Sequence, residues 1–175
     1  MLTRERLRAL PNIISSSRVL LAAGFAVVTD VDKRLGLVGL AAATDVLDGW
    51  LARRAKWTTR LGALIDPMAD RVFALVAVMT FLDSGALSLR GGLVMLSRDI
   101  MTAIGFLVAR VVSWLRPVHF RARRAGKVVT ALQFIAFVVL LLAPQRILPI
   151  LWLVGIASAY SVLDYTFALW HARAR

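Results

Sequence analysis

Six apolar runs divide the chain, at roughly 12–29, 35–55, 61–82, 91–114, 125–143 and 147–170. As helices they cross, or nearly cross, a bilayer whose apolar core takes about 20 residues. The breaks carry turn or charge signals: Asp30-Val31-Asp32-Lys33, Arg53-Arg54-Ala55-Lys56, Asp83-Ser84-Gly85, Arg116-Pro117 and Ala143-Pro144-Gln145-Arg146. No internal repeat or low-complexity linker interrupts the series, so residues 1–175 read as one domain. Arg4, Arg6 and Arg8 precede the first run much as in a secretory signal, but Arg18 breaks the apolar stretch and no cleavage site follows. The pattern predicts a retained first helix, preceded by a short interfacial helix around residues 3–10. The expected fold is an all-α integral membrane protein with six transmembrane helices.

Charge sets the orientation. With six spans, one side holds Arg4, Arg6, Arg8, Arg53, Arg54, Lys56, Arg60, Arg116, Arg121, Arg123, Arg124, Lys127, Arg173 and Arg175. The other side holds only Lys33, Arg34, Arg90 and Arg146. The basic side is expected to be cytoplasmic, with both termini inside and Trp114 and Trp170 near that interface. The net charge of +12 is thereby read as membrane topology and attraction for anionic headgroups or phosphorylated substrates, not as nucleic-acid binding. Hydrophobic residues make up 59% of the chain, well above the apolar share of a soluble domain. There are no cysteines, which excludes disulfides and thiolate metal sites.

Charge inside a span is costly and usually functional. Four of the ten acidic residues, Asp45, Asp48, Asp66 and Asp70, sit in or beside spans two and three. Asp45 and Asp48 are three apart and share a helix face; Asp66 and Asp70, four apart, share another. The turn between the two helices centres near Trp57, so in an antiparallel hairpin the four carboxylates meet at similar depth. Like charges cannot gather there uncompensated. Hard divalent cations such as Mg²⁺ or Mn²⁺ take carboxylate and phosphate oxygens, and four aspartates suit two ions. Gly49, Ala52 and Gly62 line the same faces and permit close approach of a ligand or a facing backbone. Arg53 ends the first stripe, where it can meet a phosphate. The competing reading is a small-residue helix interface, with the aspartates paired to Arg53, Arg60 and Arg71.

The segment Asp45-Val-Leu-Asp48-Gly49-Trp-Leu-Ala52-Arg53, eight residues, then Gly62-Ala-Leu-Ile-Asp66-Pro-Met-Ala-Asp70 resembles the CDP-alcohol phosphotransferase signature. All eight fixed positions are filled over 26 residues. The resemblance implies one membrane domain of this family over 1–175, in the plasma membrane with its site facing the cytoplasm, and a homodimer. It implies transfer of the phosphatidyl group of CDP-diacylglycerol to an alcohol, with release of CMP. It also implies Asp45, Asp48, Asp66 and Asp70 as ligands of Mg²⁺ or Mn²⁺. Asp70 doubles as the base for the acceptor hydroxyl, and Asp48, Gly49, Ala52, Arg53 and Gly62 hold the CDP portion.

Two further groups bear on the acceptor. Pro11-Asn12-Ile-Ile-Ser15-Ser-Ser-Arg18 is similar to the opening of phosphatidylglycerophosphate synthases and eukaryotic-type cardiolipin synthases. Gly126-Lys127-Val-Val-Thr130-Ala-Leu-Gln133 is similar to an element of both. Asn12, Arg18, Arg98 and Lys127 are thus candidate acceptor- or phosphate-binding residues. Each also has a plainer reading: a helix cap at Asn12, packing or pairing of Arg18, mutual neutralisation of Arg98 and Asp99, and a topology-setting Lys127. Phosphatidylglycerophosphate synthases often carry Arg-Glu where this chain has Arg98-Asp99, and another Arg where Leu107 stands. That departure favours phosphatidylglycerol as acceptor, giving cardiolipin, over glycerol 3-phosphate; inositol phosphate is more distant. A non-enzymatic cation transporter is the remaining alternative and predicts ion flux without CMP release.

Overall fold

A computed structural model describes residues 17–55, 62–111 and 124–173, with side chains at 17–47, 71–105, 126–164 and 166. Those residues form helices and short connections, with no strand among them. The helices are α1 (Ser17–Val27), α2 (Val31–Ala55), α3 (Gly62–Asp83), α4 (Leu89–Val111), α5 (Arg124–Leu142) and α6 (Ile147–Arg173). Each falls on one of the six apolar runs. The expected interfacial helix at 3–10 and the loop near Trp57 lie outside the described residues, as do Arg121 and Arg123.

One boundary differs from the sequence reading. The break at Asp30–Lys33 was expected to be loop, yet α2 begins at Val31. Asp30 Oδ1 accepts a hydrogen bond from the Lys33 backbone N–H at 2.9 Å. This N-cap satisfies one of the donors a helix start leaves open, so charged residues here begin the helix instead of interrupting it. α3 ends at Asp83, and Gly85 two residues on has a φ of 72°, which suits a residue without a Cβ.

The contacts define two compact units, Met1–Ala86 and Leu87–Arg175. In the first, α1 runs antiparallel to α2: Arg18 meets Asp45 near one end, and Phe25 lies under the Arg34 guanidinium, 5.2 Å away, near the other. The Phe25 ring makes edge contacts with Phe73 and Phe81 of α3, at 5.8 and 5.6 Å. Ala77, midway between them on the same face, is buried and leaves the room for that insertion.

In the second unit α6 packs on both α4 and α5. Gly91 and Gly155 permit the close approach of α4 and α6: a methyl on Gly91 would lie 3.1 Å from Leu151 Cδ1, and one on Gly155 3.4 Å from Val94 Cγ1. The polarity of α6 is inverted relative to a soluble helix. Ser158 and Ser161 are buried, whereas Trp152, Ile156 and Tyr160 are each about two-thirds exposed, at 68%, 65% and 65%. Within residues 144–164 only 17% of the best apolar window is buried inside the protein. Such an apolar, little-covered face is what a lipid-facing helix presents. Among the described residues this is the one stretch long and apolar enough to cross a membrane; 17–27 and 126–142 are shorter apolar helices.

Candidate active site

The signature aspartates all fall on the first unit's helices. Asp45 and Asp48 lie in the second half of α2, and Asp66 and Asp70 in the first three turns of α3. Gly49, Ala52 and Arg53 complete the α2 stretch and Gly62 opens α3. Of these residues, only Asp45 has a described side chain. It is 37% exposed, and its Oδ1 stands 3.6 Å from Arg18 Nη1. Arg18 is nearly buried, with 3% of its side chain exposed, and its Nε donates to Thr44 Oγ1 at 3.3 Å. A buried guanidinium needs such partners, because desolvating the charge costs several kcal/mol. Arg18, a candidate for the acceptor, therefore stands beside the first aspartate of the signature. Asn12 lies outside the described residues.

The second unit holds a polar cluster where α4 meets α5. Arg98 Nη1 donates to Thr130 Oγ1 at 3.0 Å. Gln133 Nε2 donates to the Met95 carbonyl at 2.7 Å and to Asp99 Oδ2 at 3.0 Å. Both partners are acceptors, which fixes the orientation of the Gln133 amide. Mutual neutralisation of Arg98 and Asp99 is only partial: their closest approach is 4.0 Å, the outer limit of an ion pair. Gly126, in the first turn of α5, is the surface on which the guanidinium rests; a methyl there would sit 2.7 Å from Arg98 Nη2. Lys127, the next residue, is exposed.

The Arg98 head is electrostatically unfinished. Its Nε is buried without a hydrogen-bond partner among the described residues. It also lies against the first turn of α5, where the helix dipole adds positive potential. An anion is favoured beside that combined positive charge. Sequence reasoning singled out Arg98, Lys127, Thr130 and Gln133 separately. It missed Thr44, and it missed why Gly126 carries no side chain. A cavity of about 580 Å³ between α4 and α6 is lined by apolar residues with Ser97 and Ser158. It offers no charged group and is remote in character from this chemistry.

The profile of the family described as CDP-alcohol phosphatidyltransferase matches residues 8–170, across both units. The chain belongs to this family. Three similar proteins are each named CDP-diacylglycerol–glycerol-3-phosphate 3-phosphatidyltransferase. The one from Sodalis glossinidius (strain morsitans) is 36% identical over 148 residues, covering 75% of this chain and 75% of the relative. The one from Pectobacterium atrosepticum is 38% identical over 138 residues, covering 73% and 68%. The one from Yersinia enterocolitica is 32% identical over 145 residues, covering 74% and 74%. As a CDP-alcohol phosphatidyltransferase the chain is an enzyme of phospholipid synthesis, as its signature implied. The acceptor in the relatives' names is glycerol 3-phosphate, the second of the two acceptors weighed from Arg98-Asp99.

Proposed function

We propose that this CDP-alcohol phosphatidyltransferase moves the phosphatidyl group of CDP-diacylglycerol to glycerol 3-phosphate, releasing CMP and forming phosphatidylglycerophosphate. The observation that carries the choice of acceptor is Arg98. Its guanidinium is held by Thr130 and Gly126, lies at a helix N-terminus, and keeps one buried N–H without a partner among the described residues. A phosphate monoester answers each of these needs with two negative charges and several acceptor oxygens. Exposed Lys127 adds a second cation within the same turn. The Asp in place of Glu after Arg98 loses its weight against this acceptor, because Asp99 is engaged by Gln133.

Asp45, Asp48, Asp66 and Asp70 would hold one or two Mg²⁺ or Mn²⁺ ions. The donor set fits hard cations: carboxylates only, with the Asp45 group partly open to solvent and partly steadied by Arg18. Bound metal offsets charge on the pyrophosphate and on departing CMP. Asp48, Gly49, Ala52, Arg53 and Gly62 would bind the CDP portion. The acceptor hydroxyl attacks the phosphorus that bears diacylglycerol, its proton passes to the Asp70 carboxylate, and the bond to the CMP oxygen breaks. Asn12 is placed with the acceptor by resemblance alone, and Arg18 acts on Asp45. Six spans with cytoplasmic termini, a site opening to the cytoplasm, residence in the plasma membrane and a homodimer complete the reading; the clustered Lys and Arg residues support the orientation.

Purified protein supplied with CDP-diacylglycerol and, separately, glycerol 3-phosphate, phosphatidylglycerol or inositol phosphate tests the acceptor. CMP release is expected with glycerol 3-phosphate. Release with phosphatidylglycerol alone would establish cardiolipin synthesis instead, and ion flux without any CMP would point to a transporter.

A further inference from the structure

We infer that Gln133 is a positioning residue that sets acceptor affinity by holding the Asp99 carboxylate away from Arg98. This rests on the reading that Arg98 binds the acceptor phosphate. Asp99 follows Arg98 directly in α4, and in a site where the two side chains are only 15% and 18% exposed, little water competes with their attraction. Neighbours on a helix point apart, but the long Arg98 side chain comes within 4.0 Å of the carboxylate, so a small rotation of Asp99 would give a closed, hydrogen-bonded pair. It does not form: the charged atoms stand 4.0 Å apart, while Asp99 Oδ2 accepts a 3.0 Å bond from Gln133. The restraint is itself anchored. Gln133 is 4% exposed, and its amide nitrogen is tied at 2.7 Å to the Met95 carbonyl, one turn before Asp99 on the same helix.

The consequence for binding is a competition. Asp99 and an acceptor phosphate seek the same guanidinium, and Asp99 is covalently close, so it has the advantage of proximity. Gln133 meets the carboxylate's need for a donor with a neutral group. That contact draws the carboxylate aside while adding no charge, so Arg98 remains available to a phosphate. The arrangement makes Gln133 matter for the acceptor and not for the CDP-lipid.

The test uses the full-length protein in mixed micelles with CDP-diacylglycerol, measuring KM for glycerol 3-phosphate, KM for CDP-diacylglycerol and kcat. Gln133→Leu is expected to raise the acceptor KM about tenfold or more, the effect of one lost hydrogen bond to a charged group. The KM for CDP-diacylglycerol should stay within about twofold, as expected of a residue whose effect is confined to acceptor binding. Adding Asp99→Asn to Gln133→Leu removes the competing charge and should restore the acceptor KM. A merely structural role for Gln133 predicts no such rescue, since the double variant has lost both ends of the contact. An unchanged KM in Gln133→Leu, or a double variant as impaired as the single one, overturns the inference. If Gln133→Leu does not fold, Asp99→Asn alone decides: an unchanged or lowered acceptor KM supports the inference, and a raised one overturns it. Arg98→Gln, run alongside, separates the two levels. An acceptor KM unaffected by Arg98→Gln removes the phosphate reading and the inference with it; a KM raised by Arg98→Gln and untouched by Gln133→Leu removes the inference only.

Discussion

Replacing Gly126 with alanine should separate acceptor binding from stability. The new methyl would lie 2.7 Å from Arg98 Nη2 and 3.3 Å from its Cζ, where ordinary contact begins at 3.4 Å. The guanidinium must therefore withdraw by about 0.7 Å at Nη2, the shortfall between those distances. Its bond to Thr130 is already 3.0 Å long, and a movement of that size is enough to break it. Losing one hydrogen bond to a charged group costs about 1.5–3 kcal/mol. That corresponds to a rise in the KM for glycerol 3-phosphate of roughly 10- to 100-fold. The fold itself should lose little beyond that one bond. The atoms that must move belong to the far end of a flexible side chain, and Gly126 is not among the positive-φ glycines. Alanine in place of glycine in a helix contributes about 0.5–1 kcal/mol of stability. The assay is acceptor KM in mixed micelles beside a thermal melt in the same detergent. The expected pair of results is a raised KM and a melting temperature lowered only modestly, the lost hydrogen bond being partly offset by the alanine. An unchanged KM would refute the account of Arg98 resting on Gly126; a large fall in melting temperature would mean that backbone, not the guanidinium, takes up the clash.

Other outcomes follow from the remaining contacts. Asp45→Ala should abolish CMP release and also lower stability by about 1 kcal/mol, a value discounted because Asp45 is partly exposed. Adding Arg18→Met should return the stability but not the activity; no return in the double variant would deny that the two side chains are coupled. Ile156→Arg on the exposed face of α6 should reduce membrane-inserted protein, since an arginine at the centre of a span costs about 2.5–3.5 kcal/mol. Normal insertion and yield would show that this face does not meet lipid.

Much of the fold could be read from the alternation of apolar runs and charged breaks, because each described helix falls on one of the runs. The start of α2 could not: charge at Asp30–Lys33 looks like loop until the capping bond from Lys33 to Asp30 is seen. Hydropathy alone singles out only residues 144–164 among the described residues, since α2 and α4 carry Asp45, Asp48, Arg98 and Asp99 for chemistry at the expense of apolarity. At the proposed site, the signature spacing could point to the aspartates because they lie on two consecutive helices. The Arg98–Thr130 and Gln133–Asp99 contacts span 32 and 34 residues and depend on how α4 meets α5, which spacing cannot supply. Arg98-Asp99 suggested a neutralised pair and, through the family pattern, phosphatidylglycerol ahead of glycerol 3-phosphate, the reverse of the order that the relatives' names support. Gln133 is the residue that changes that reading, and its partner is visible only across the helix interface.

The most direct test of the central claim follows the product. CDP-diacylglycerol and glycerol 3-phosphate labelled in its glycerol should yield lipid-soluble label and CMP in equal amounts, carrying a terminal phosphate monoester. Both should cease when divalent metal is chelated and in Asp66→Asn. Label that remains water-soluble while phosphatidylglycerol is converted to cardiolipin, or CMP release that survives Asp66→Asn, would contradict the account.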